Sequence, residues 1–159
     1  MATIATLYKS GEVEGNSAYT HHPSGMFIRK TVFTISAATA TNDLWQLVDV
    51  FAGECLHAWY LKVTDIDNNT DLVLDLGYGN SATETAATSD DLLDGSTIGQ
   101  AGGFAQGSVW SSDDDGSTSF AAGPLEFTSD DTIDLHAEAG DGATTSGTIT
   151  FYAYLSKGG

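Results

Sequence analysis

Basic residues are missing from most of this chain: no lysine or arginine occurs between Val63 and Ser156. The same stretch carries 17 of the 22 acidic residues, whereas residues 1–62 set five acids against four bases. Without clustered cations the chain is not expected to bind nucleic acid, whose phosphates call for Lys and Arg. An anionic membrane would repel it for the same reason. The single cysteine, Cys55, excludes an internal disulfide, and its apolar surroundings predict a buried, inert thiol. No apolar run reaches the ~18 residues of a membrane span. The opening residues lack the charged start and long apolar core of a signal peptide, so synthesis in a cytosol and a soluble product are expected. No nucleophile elbow, phosphate loop or dinucleotide fingerprint is present, and no enzymatic activity is expected.

What the chain does have is strand signal. Its 159 residues fit one domain, and the 41% hydrophobic content is ordinary for a globular protein. Short runs rich in aromatic and β-branched residues occur at 26–35, 44–50, 55–63, 72–76, 104–110, 124–127, 132–137 and 148–155. Clean alternation places Ile149, Phe151 and Ala153 on one face, and Thr148, Thr150, Tyr152 and Tyr154 on the other. Likewise Ile133, Leu135 and Ala137 are expected inside, with Asp134 and His136 outside. Gly, Asn, Asp and Ser clusters punctuate the runs. Residues 89–94 are expected to form at most one capped helical turn. The reading is all-β: an antiparallel β-sandwich, jelly-roll-like, with long acidic loops. Residues 1–25 are read as an N-terminal strand and polar arm, and residues 26–159 as the sandwich. Residues 79–103, rich in small side chains, are expected to be a long surface loop. With only two prolines, sheet edges are expected to be blunted by acids or by partner subunits.

Several residue groups invite a chemical reading. Asp65, Asp67, Asn69 and Asp71 place oxygen ligands at every second residue, as a calcium loop does. The resemblance to an EF-hand stops there, since Thr70 stands where its tight-turn glycine belongs, and a turn between strands accounts for the same residues. Asp113, Asp114 and Asp115 suit a solvated hairpin tip. Adjacent carboxylates such as Asp130–Asp131 point to opposite faces of a strand and make poor acid–base pairs. His21–His22, and Cys55 with His57, lack the further ligands a transition metal needs. Trp45, Trp59 and Trp110 have a core role by default. Tyr152 and Tyr154, opposite the apolar face of their strand, are candidates for a partner surface.

The succession Thr39–Val50, Phe51-Ala52-Gly53-Glu54, an aromatic strand ending Leu61–Asp67, then Leu72–Gly77, resembles small structural proteins of tailed phages. Ser129–Leu135 followed by Gly147–Phe151 looks like the closing strands of the same proteins. The acidic, lysine-poor composition is in keeping with a phage of marine bacteria. The resemblance implies a decoration (cement) protein on the outer surface of an icosahedral head, often a homotrimer, bridging subunits of the major capsid protein. A receptor- or glycan-binding head of a fibre or tail is the alternative. On this reading the near-neutral N-terminal portion faces the shell, with Lys9, Arg29, Lys30, Tyr152 and Tyr154 at the capsid or subunit interface. No cofactor is expected, calcium at Asp65, Asp67, Asn69 and Asp71 being the one candidate.

Overall fold

A computed structural model of the chain describes residues 25–36, 38–68, 70–79, 91–108, 124–140 and 146–157. Nine strands and no helix occur among them: β1 (Met26–Ile35), β2 (Leu44–Val50), β3 (Glu54–Val63), β4 (Val73–Gly79), β5 (Leu93–Ser96), β6 (Gly103–Ser108), β7 (Leu125–Glu126), β8 (Asp131–Ala139) and β9 (Gly147–Lys157). They form two antiparallel sheets. One has the order β1-β9-β3-β6, with β7 added on β3, and the other has the order β2-β8-β4-β5.

The pairings nest. β1 pairs β9, β2 pairs β8, β3 pairs β6 and β4 pairs β5, as if one long hairpin had been folded over itself. Contacts of β9 with β3, and of β8 with β4, then complete the two sheets. Alternation supplies the adhesive. Ile149, Phe151, Ala153 and Leu155 of β9 meet Ile133, Leu135 and Ala137 of β8, together with Leu47, Leu74, Leu76, Leu56 and Leu61, in a single buried cluster drawn from both sheets. Each of the Ile, Leu and Phe side chains contributes about 1.5–3 kcal/mol through removal from water, and the alanines less. Trp45 and Trp59 belong to this core, while Trp110 lies outside the described residues.

One lateral seam of the sandwich is polar. Arg29, on the inward face of β1, is only 5% exposed and makes a two-point ion pair with the buried Glu54 at the start of β3. Its Nη1 also donates to the Asp49 carbonyl at 2.8 Å, and its guanidinium lies 5.1 Å from the Phe27 ring centre and 5.0 Å from that of Phe51. Two residues on, the Thr31 hydroxyl donates to the Leu47 carbonyl. Both bonds cross from β1 to the backbone of β2, and so join one sheet to the other at the strands that end them. The turn from β2 to β3 completes the arrangement. Gly53, at φ +80°, takes the left-handed position, Glu54 N–H donates to the Phe51 carbonyl at 2.9 Å, and the Glu54 carboxylate accepts from Phe51 N–H at 3.0 Å.

Two expectations change. Arg29 is inside the protein and not on a docking surface, because a buried carboxylate holds it there. Residues 93–96 form the short strand β5 within what was expected to be a loop, and Leu93 faces no helix turn but pairs with Leu76. The cause is the adjacent pair Leu92 and Leu93, both buried, with Leu92 N–H donating to the Leu76 carbonyl at 2.9 Å. Lys9 and the polar arm, the histidine pair and Asp113–Asp115 fall outside the described residues.

Two stability measurements follow from this packing. Glu54→Ala leaves a buried guanidinium without its counter-charge and is expected to cost about 3–5 kcal/mol in urea unfolding. The double variant Arg29→Met/Glu54→Leu should recover most of that loss. Separately, burial, and then the charges of Asp91 and Asp131, push the Tyr78 phenol above its ordinary value. Because the raised pKa belongs to the folded state, its contribution is complete below about pH 10 and is lost as pH rises through the folded value. Tyr78→Phe should therefore flatten the alkaline limb of a plot of urea midpoint against pH.

Candidate docking face

The outer side of the five-stranded sheet collects what the core excludes. Strand pairing sets Lys30 of β1 opposite Tyr152 of β9, and Tyr152 opposite Tyr60 of β3. Tyr60 faces Gln106 of β6, and Lys62 faces Phe104 on the same two strands. Side chains two residues apart on one face are diagonal neighbours across a pair, so Tyr60 also reaches Phe104. The result is a continuous row: Lys30 Nζ 5.4 Å from the Tyr152 ring centre, Tyr152 to Tyr60 6.1 Å, and Tyr60 to Phe104 5.7 Å with 21° between planes. Tyr154 adjoins it, opposite Ile28 on one side and Ala58 on the other.

Phe104, at 61% exposed, ends the row on β6. No carboxylate occurs in β1, β6 or β9, and the one in β3, Glu54, is buried against Arg29. Glu126 of the two-residue β7 stands at one corner, opposite Cys55. In a chain of formal charge −17, this face carries Lys30 and Lys62 with acid, among the described residues, only at its margin.

The face depends on a bulge. The register between β3 and β9 shifts between Leu56 and Ala58. Cys55 and His57 therefore share the outer side with Tyr60 and Lys62, while Leu56, Trp59, Leu61 and Val63 all turn inward. His57 Nε2 lies 2.8 Å from Ser156 Oγ. Gly107, directly opposite Trp59, leaves room for the indole, since a Cβ there would come within 2.5 Å of Nε1.

Elsewhere polar groups serve the fold. On the four-stranded sheet Asp75 Oδ2 lies 3.3 Å from His136 Nδ1, and Asp75 Oδ1 accepts from Gly95 N–H at 2.9 Å, which ties β5 to β4 and β8. Asp134 and His136 lie beside the strand residues that point to the core, as alternation requires, yet both are buried. Of the calcium candidates, Asp65 and Asp71 are exposed, and Asn69 falls outside the described residues. Asp67 is buried and its Oδ2 accepts from Leu72 N–H at 2.9 Å, a turn-closing contact. Among the described residues no group of three or more His, Cys, Asp and Glu is placed to hold a metal. Among them, too, no helix is long and apolar enough to cross a membrane.

The sequence matches no family model and no curated protein. Solved structures do match. A chain of the capsid of Ralstonia phage GP4 superposes with TM-score 0.60 at 22% identity, over 83% of this chain and 85% of that one. A chain of the cyanophage Pam1 capsid asymmetric unit superposes with TM-score 0.59 at 15% identity, over 91% and 94% respectively. The fold is that of phage capsid components. The all-β sandwich expected from the strand pattern is thus shared with chains that stand in viral shells.

Of the residues singled out in the sequence, Lys30, Tyr152 and Tyr154 come together on the outer face of the five-stranded sheet, and Arg29 does not. Tyr60, Lys62 and Phe104 were not singled out. Cys55 is half-buried at its corner, not enclosed in the core as expected. Burial, and then the charge of Glu126, raise its thiol above the ordinary value. Its thiolate fraction at neutral pH is correspondingly small. Alkylation by iodoacetamide should be slower than that of a free model thiol at the same pH, and Glu126→Gln should move the rate–pH curve to lower pH.

Proposed function

We propose that this chain is a structural, non-enzymatic virion protein that decorates the outer surface of an icosahedral phage head, bridging coat subunits. The observation that carries the proposal is the likeness to the cyanophage Pam1 capsid chain, which runs over nine-tenths of both molecules. A capsid component can therefore be built from this one sandwich and little else. The charge distribution supports an outward position: most acids fall in the part of the chain after residue 62, which suits a surface turned to the medium. Lys30, Tyr152 and Tyr154 belong to the side turned to the shell. The chain acts as a homotrimer in this proposal, because one small footprint binds weakly and three linked footprints multiply the effective concentration.

Quantitative mass spectrometry of purified virions, counting this chain against the major capsid protein, tests the proposal. A ratio near one to one, or a simple fraction spread over the shell, is the expected outcome. A handful of copies per particle would assign the chain to a fibre or tail tip instead, and absence from virions would end the viral reading. Particles that lack the chain should also lose their DNA at a lower temperature than complete ones.

A further inference from the structure

We propose that the outer face of the five-stranded sheet docks onto an acidic patch of the coat subunit, with Phe104 as its anchor and Lys30 and Lys62 meeting the patch's carboxylates. The inference rests on the head-decoration reading and adds the chemistry of the partner surface.

Charge complementarity points to that partner. A protein of formal charge −17 repels an acidic surface from nearly every direction. The one face described with outward lysines and acid confined to a corner is the face through which an acidic partner can approach. Opposed charges at such a contact select orientation more than they add affinity, so the same feature would fix which way round the subunit sits. Affinity then needs a buried anchor. Phe104 is the most exposed large apolar side chain among the described residues. It is held by its stack on Tyr60 and flanked by Lys62, so little side-chain freedom is lost when it is covered.

Two other occupants fit less well. A sugar chain stacks on ring faces laid open side by side, but Tyr60 and Phe104 turn their faces to one another at 5.7 Å and 21°, and Tyr152 offers one face to Lys30. A second copy placed symmetrically on the same face would bring lysines against lysines across the two-fold axis.

Heads lacking this chain, mixed with the purified full-length protein and sedimented, provide the test. Phe104→Ser is expected to weaken retention about 30-fold, the loss of one hot-spot side chain. Lys62→Glu should weaken it about tenfold or more by setting like charges together. Both positions are exposed, and an unchanged thermal midpoint will show that each variant is folded. Asp94→Lys, exposed on β5 of the other sheet, should be retained as the unaltered protein is. If the heads hold the unaltered protein and both variants equally, the docking face is wrong while the head-decoration reading stands. If the heads do not hold the unaltered protein, both fail together. An oligomer that dissociates on Phe104→Ser, with head binding intact, would make a second copy the occupant. Glycan-array binding abolished by the same change would make it a sugar. Either result overturns the proposal.

Discussion

The Arg29–Glu54 pair is the constraint around which this sandwich is organised. Two sheets that touch only through apolar side chains are free to slide, because hydrophobic contact has no direction. A guanidinium held by a carboxylate, a backbone carbonyl and two ring faces has very little such freedom. Since Arg29 belongs to β1, Glu54 to β3 and the Asp49 carbonyl to β2, one side chain fixes strands of both sheets relative to one another. The neighbouring Thr31 bond repeats the link two residues along. Burying two charges is costly, and an apolar seam of similar volume would serve stability as well. The geometry therefore speaks for register, with stability supplied by the leucine-rich core beside it.

The strand pattern was largely legible. β1 and β2 begin and end where composition places them, and the inward and outward sets of β9 follow from period two alone. What was not legible has definite causes. Arg29 reads as an exposed cation because its partner lies 25 residues away, and nothing local marks Glu54 as buried. β5 is only four residues long, and such a strand is made by pairing with β4 more than by its own composition. The outer aromatic row was half seen. In β3 an unbroken alternation from Cys55 would group Trp59 and Leu61 with it, and the bulge at His57 reverses that phase. Tyr60 and Lys62 therefore reach the outer face only once the bulge is known, and Phe104 joins them through pairing that no single segment encodes.

The two sheets divide the chemistry between them. On the four-stranded sheet, polar groups such as Asp75 and His136 are enclosed and bonded to the strands beside them. On the five-stranded sheet, polar and aromatic groups remain at the surface, in a row that crosses four strands. A fold shared with capsid chains at 15–22% identity does not dictate the side chains on such a face, so its chemistry is a property of this sequence and not of the fold.

The nested pairing has a consequence for assembly. β1 and β9 lie next to each other in the sheet yet are the first and last of the described strands, so the pair joining Met26 to Ser156 spans the longest loop among them. Closing long loops is slow, and architectures dominated by distant pairings fold slowly. Lys30 comes from β1 and Tyr152 from β9, which means that the aromatic row does not exist until that outermost pair has formed. An incompletely wound chain would lack that row, so any partner that recognised it would bind only subunits whose two outermost described strands had already paired.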